Sequence, residues 1–313
     1  MSLRSFYAQK VTPVLRRIPW GERWNHALVA FFADLQTFQA VYPYSAQNKF
    51  FPEQEIESLF QELSPESIAL AKRFMMWQVH LPKNAFFIHP RHFYTADEHA
   101  EYKTLLPEYR RVRKKMGFRA EEAGVESLYY HHGLRFCPEF VRKNIADKYF
   151  CDVGGWYGDS ALVFAEYRPK KTIIFEPVAE YRKKMMRSFE KNSFPSEQYE
   201  IYPFALSDKN ELHDNMLCCT LDEISAGYST PFGVLKADIE GMGLNFVKGA
   251  EKTIRRDRPL LSLSIYHNAD EFAGIYQLLQ SWDINYHFEL KQFSPLVPWM
   301  ELSLFAYLAE WMK

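Results

Sequence analysis

The chain has 313 residues, 47% hydrophobic and 25% charged, which suits a folded protein larger than one average domain and excludes a disordered chain. Its 38 Lys and Arg stand against 39 Asp and Glu, so no global positive field gathers nucleic acid or anionic lipid. Cys137, Cys151, Cys218 and Cys219 lack the two-residue gap of a zinc or redox motif, and the best apolar run, Ala27 to Ala33, is too short for a signal peptide or membrane span, so a reduced, cytoplasmic protein is expected.

The first third reads as helical. Leu28, Phe31, Phe32, Leu35 and Phe38 recur at steps of three and four, the stripe of a helix with one buried face. Ser64, Pro65 and Glu66 spell a helix start, with a capping hydroxyl, a proline where no amide hydrogen is needed, and an acid in the first turn. Proline-bearing joints fall at Pro43, Pro52, Pro82 and Pro90. The basic runs Arg110 to Lys115 and Arg182 to Lys184 lie in segments read as helix and are explained by solvated helix faces. The division expected is a helical module over 1–120 followed by a Rossmann-like domain over 121–313.

Near residue 148 the pattern changes. Short β-branched and aromatic runs predict strands at about 149–154, 171–176, 199–204, 232–239, 259–266, 284–291 and 301–308. Helices are predicted between them at about 158–167, 178–192, 243–256 and 269–281. Such alternation means an α/β fold, a mainly parallel sheet covered on both faces, whose ligands bind beyond the carboxyl ends of the strands. The last two strands have no helix between them and should pair antiparallel.

The strongest signal is the run from Phe150 to Ser160, a strand entering the turn Gly154-Gly155-Trp156-Tyr157-Gly158-Asp159-Ser160 that opens a helix. Glycines let backbone approach a ligand there. A dinucleotide fingerprint fails in both registers, because Trp156 and Asp159, or Tyr157 and Ser160, stand where glycines belong. Asp159 would also set a carboxylate where a pyrophosphate should sit. A phosphate-free cofactor fits better, and S-adenosylmethionine, with its ammonium and sulfonium, suits an acid beside backbone amides. Glu176, followed by Pro177, ends the next strand 24 residues after Asp152, near the spacing at which a Rossmann acid takes ribose hydroxyls. The fourth strand sets Lys236, Asp238 and Glu240 at alternate positions, so one strand face carries all three, and Lys236 can neutralise an acid while the others face the cleft. Asp238 is read both as a cofactor-facing acid and, with Glu240, as part of the catalytic group. The fifth strand stops at His267, whose imidazole could take a proton from an acceptor hydroxyl. The working assignment is His267 as base and Asp238 as orienter. No metal site is expected, since His131 and His132 come with no carboxylates to complete one. Aromatic residues, 17% of the chain, fill a core or stack on a ligand face.

Together these pieces resemble the FkbM-type methyltransferase family over roughly residues 125–308. The motifs that carry the resemblance are Glu126 to Gly133, Asp152 to Ser160, Phe175-Glu176-Pro177, Ala205 to Asp208, Leu235 to Gly241 with Gly249-Ala250, and Ile265 to His267. The resemblance implies a Rossmann-like class I fold of seven strands, the last inserted antiparallel. It also implies O-methylation of a small-molecule or glycan acceptor, S-adenosylhomocysteine as product, the turn holding the methionine part, and Ser207 with Asp208 holding adenine. Met242-Gly243 departs from the aromatic and acidic pair more usual in that family. A non-catalytic adenosylmethionine-binding protein, a nicotinamide-dependent dehydrogenase and a metal-assisted methyltransferase are the rival readings, and a homo-oligomer is compatible with all of them.

Overall fold

A computed structural model describes residues 50–84, 95–213, 216–293 and 300–312. The apolar stripe from Leu28 to Phe38, and Pro43 and Pro90, lie outside the described residues. Ser64 caps as expected, its Oγ accepting the Ser67 amide at 3.2 Å, and the helix Pro65–Asn84 follows. Pro82 falls inside that helix and not at a joint. The helix Ala96–Met116 carries the first basic run; Thr95 and Glu98 close a capping box at its start, and Gly117, at φ 75°, ends it.

The main sheet contains β1 (Tyr149–Val153), β2 (Lys171–Phe175), β3 (Tyr199–Tyr202), β7 (Phe232–Ala237), β8 (Leu260–Ser264), β9 (Tyr286–Gln292) and β10 (Leu302–Leu308), in the order β3-β2-β1-β7-β8-β10-β9. The strands from β3 across to β8 run parallel, and β10 is inserted antiparallel between β8 and β9. This is the α/β, Rossmann-like sheet expected. β3 stops at Tyr202 because Pro203 has no amide hydrogen for the ladder. A second sheet of β4 (Ala205–Leu206), β5 (Glu211–His213) and β6 (Met216–Cys219) was not foreseen, since strands of two to four residues are too short for a period to register.

The single helix expected over 243–256 is two helices, Gly243–Lys248 and Glu251–Asp257. Two contacts explain the break. A Cβ on Gly249 would lie 1.9 Å from the Ser207 carbonyl oxygen, so the chain must turn there without a side chain. Asp222 then caps the second helix from outside, accepting the Lys252 amide at 3.0 Å and the Thr253 amide at 2.7 Å.

Hydrophobic clusters lie on both faces of the sheet. On one, Ile56, Phe60 and Phe74 from the N-terminal helices join Leu235, Leu261, Phe272 and Leu304. Phe272 meets the Phe51, Phe60 and Phe74 rings at centroid distances of 5.4, 5.4 and 5.8 Å. The Ser67 hydroxyl accepts the Leu290 amide of the edge strand β9 at 3.0 Å. Residues 50–84 thus pack directly on the sheet's core. No helix among the described residues is long and apolar enough to cross a membrane.

Candidate active site

Because β1, β2, β3, β7 and β8 run parallel, their carboxyl ends share one edge, and the antiparallel β10 begins there. That edge therefore collects the turn after Asp152, Glu176, the Ser207 loop, Asp238, His267 and Glu301.

The glycine turn is locked by its neighbours. Gly154 has φ 82°, and a Cβ on it would lie 2.2 Å from the Asp238 carbonyl oxygen; a Cβ on Gly155 would lie 2.3 Å from Ile174 Cγ2. The turn consequently sits flush between the ends of β7 and β2. Trp156, at φ 45° and 38% exposed, stacks on Tyr157 at 4.5 Å and meets Tyr181 at 4.2 Å. Gly158 caps the helix Asp159–Phe164.

Glu176 is buried and holds the turn. Its Oε2 accepts the Trp156 amide at 3.0 Å and its Oε1 the Val178 amide at 2.8 Å. Burial raises its pKa against the pull of those two amides. Pro177 follows, its carbonyl accepting Arg182 Nη1 at 2.7 Å.

Lys236, Asp238 and Glu240 share one strand face only in part. Lys236 is in the strand, but β7 ends at Ala237, and Lys236 Nζ donates across the sheet to Asp152 Oδ1 and to the Gly154 carbonyl, both at 2.9 Å. The acid it neutralises is therefore Asp152 on the adjacent strand. Asp152 is fully enclosed and its Oδ2 has no donor among the described residues, so it supports the turn from beneath instead of lining the cleft. Glu240 sits on a left-handed residue at φ 52°, with its side chain 91% exposed and 3.9 Å from His267 Nε2. It guards the rim and does not lie in the cleft wall. Ser160 is likewise internal, its Oγ 2.8 Å from His132 Nε2, while His131 Nδ1 lies 2.8 Å from the Tyr167 hydroxyl. Asp159 is buried at the helix start beside Ser127, and burial pushes its pKa up to about 6. Ser207 is buried, donating to Asp208 Oδ1 at 3.2 Å, and Asp208 is exposed.

His267 is clasped between carboxylates. Its Nδ1 is 2.9 Å from Glu271 Oε2, and its Nε2 is 3.2 Å from Asp238 Oδ1, a charge contact off the line of a good hydrogen bond. A neutral imidazole could satisfy only one of these acids, whereas the imidazolium satisfies both, and despite burial the pair raises its pKa to about 11. In return Asp238 is held down at about 2. The expectation that His267 is a free base is thereby corrected: at neutral pH it already carries the proton. Glu271 is buried and also accepts the Gly243 amide at 2.7 Å, which fixes the ring to the next helix.

Three groups here escaped the reading of the sequence for roles. Tyr266 donates toward Asp238 Oδ1 at 3.3 Å and Glu301 Oε1 at 3.2 Å. Glu301 opens β10 from 35 residues away, and burial raises its pKa well above the carboxylate range. Glu126 is raised to about 8 by burial and by the nearby Asp159 carboxylate. Glu126 stands in the Glu126–Gly133 run, and its charge beside Val125, Ser127 and Leu128, all buried, was the available clue.

The cations nearest the turn are spent internally: Lys236 on Asp152 and Gly154, Arg182 on two carbonyls, and Lys184 on the Tyr157 hydroxyl at 2.6 Å. Among the described residues a pyrophosphate would therefore meet carboxylates and cations already engaged, whereas a cationic, phosphate-free ligand meets a complementary set. Among the described residues no group of three or more His, Cys, Asp or Glu is arranged to hold a metal ion.

A seven-stranded sheet of this order, with a glycine turn and acids at its carboxyl edge, defines a Rossmann-like methyltransferase fold. Residues 152–288 match the family model of the methyltransferase FkbM domain, which bears out the resemblance read from the motifs. The chain is similar in fold to the methyltransferase FkbM of Methylobacillus flagellatus KT, with TM-score 0.57 and 16% identity over 80% of this chain and 58% of that one. It thus spans somewhat over half the length of that protein. Looser likenesses, at TM-scores 0.47 and 0.45, link it to a putative O-methyltransferase of Klebsiella pneumoniae (14% identity, 70% of this chain, 99% of that) and to the O-methyltransferase TomG of Streptomyces achromogenes (8%, 71%, 99%). None of the curated proteins matches the chain.

Proposed function

We propose that the chain is an S-adenosylmethionine-dependent O-methyltransferase acting on a hydroxyl of a sugar, glycan or secondary metabolite. The observation that carries this reading is the acid-lined carboxyl edge, where Glu176 anchors the glycine turn and, among the described residues, the cations nearest the turn are already engaged by the protein's own groups. When bound, the cofactor supplies an electrophilic methyl group on a sulfonium. The residues to hold it are the Gly154–Ser160 turn, Glu176 for the ribose hydroxyls, and the Ser207-Asp208 loop for the base, with Asp238 and Asp159 providing negative charge beside it.

On the acceptor side the protein must set an oxygen in line and remove its proton. His267, as an imidazolium, keeps Asp238 ionised and fixed, while Glu271 keeps His267 oriented. Glu126, raised to about 8 by burial and by the Asp159 carboxylate, holds a proton more tightly than an ordinary carboxylate and is a stronger base than Asp238 once ionised. Calorimetry with S-adenosylmethionine, S-adenosylhomocysteine and NADH tests the cofactor, and transfer of a labelled methyl group to a panel of nucleotide sugars and glycans tests the acceptor. Binding of NADH with neglect of both adenosyl compounds would refute the reading; binding without transfer to any acceptor would favour the non-catalytic alternative.

A further inference from the structure

Between the helices Ala96–Met116 and Glu139–Ile145 and the turn before β2 lies an open cavity of about 560 Å³, large enough for a small organic ligand. It extends from His131 down to Ala146 and Arg168, which precede β1 and β2 and so mark the sheet edge opposite to Asp238. Its wall is basic in a chain whose net charge is -1. Two of its cations are matched: Arg135 to Glu108 and Lys143 to Glu139, both at 2.8 Å. Arg111, Arg142 and Arg168 have no side-chain hydrogen bond or ion pair to any described residue, and Glu166 is the one acid left on the wall to set against them. These three guanidiniums come from the helix Ala96–Met116, the helix Glu139–Ile145 and the turn before β2. A solvated helix face explains a run of cations along one helix; it does not explain three segments delivering unpaired arginines to one concavity. The wall also holds His131, 7% exposed, kept neutral because burial lowers its pKa to about 4. With Nδ1 on the Tyr167 hydroxyl, its other ring nitrogen has no partner among the described residues.

We propose that this cavity is a second binding site, separate from the methyl-transfer site, for a small metabolite carrying two or more phosphoryl charges held by Arg111, Arg142 and Arg168. Guanidinium forks suit phosphoryl oxygens in pairs, and the half-buried Val112 gives the rest of such a ligand an apolar contact. The proposal does not depend on which methyl acceptor the enzyme uses.

The test is calorimetry on the full chain, saturated with S-adenosylhomocysteine so that its adenosine site is filled, titrated with inorganic pyrophosphate and separately with ADP. One saturable site is expected, with affinity falling between 50 and 300 mM salt. ADP binding more tightly than pyrophosphate identifies a nucleotide as the source, and equal affinity identifies the phosphoryl groups alone; either supports the site. The R111A/R142A double variant should bind at least tenfold more weakly at unchanged melting temperature, while K114A, on the same helix but outside the cavity, should bind normally. Absence of saturable binding to both probes, retained affinity in the double variant, or an equal loss in K114A overturns the proposal.

Discussion

Replacing Lys236 by Met tests the internal support of the turn. The substitution keeps most of the volume but removes the cation that stands 2.9 Å from Asp152 Oδ1 and from the Gly154 carbonyl. Asp152 is 0% exposed and its other oxygen has no donor among the described residues, so the carboxylate is left buried and bare. Breaking such a pair costs about 3–5 kcal/mol. An unfolding entropy of about 2.1 cal/mol/K per residue over 313 residues turns about 4 kcal/mol into a melting-temperature loss of about 6 °C. Scanning fluorimetry should show that loss at pH 7 and a smaller one at pH 5. The sign follows from Asp152: burial already raises its pKa, and without Lys236 it rises further above the unfolded value. Its stabilising contribution is then present at low pH and lost as pH climbs through the folded value. The double variant D152N/K236M, with no bare charge, should melt above K236M. If K236M melts like the parent, or the double variant melts no higher than the single, the account of the pair is wrong.

Further outcomes follow from the same edge. The His267 ring should give an imidazolium carbon-proton NMR signal at pH 8. Its folded pKa, about 11, lies above the unfolded value, so the stabilisation it brings is full below about 6.5 and lost toward pH 11; H267Q should lack that alkaline decline in melting temperature, and titration of the ring near 6.5 would refute the clasp. Glu126, raised to about 8, contributes stability that is present at acid pH and lost as pH rises through 8. E126Q should flatten that slope and lower turnover about 100-fold with cofactor affinity unchanged, as calorimetry and initial rates will show. G154A, forced to hold φ 82° with a Cβ 2.2 Å from the Asp238 carbonyl, should melt several degrees lower and lose cofactor binding; normal binding by G154A would remove the turn from the site.

The sheet was legible because its strands are buried runs spaced by long amphipathic helices, a pattern that survives without knowledge of contacts. The turn from Gly154 to Ser160 and the acid at Glu176 were legible for a similar reason: their chemistry is local to a few consecutive residues. What sequence spacing does not carry is the partner across the sheet. Lys236 was read as neutralising an acid from its place on one strand face and finds Asp152 in the neighbouring strand; His267 was read as a base without Glu271, one helical turn further on, which meets its Nδ1. Gly249 shows the same limit, since its need to be bare comes from Ser207 in a distant loop.

The bond from the Leu290 amide to the Ser67 hydroxyl joins positions 223 residues apart. A ribosome therefore releases the helix Pro65–Asn84 long before its outer strand exists, and that helix must wait with Phe74 uncovered, as must Phe60 just before it. A shortened polypeptide beginning at 121 would leave β9 an open border with a spare amide and Phe272 stripped of its ring neighbours, an invitation to self-association.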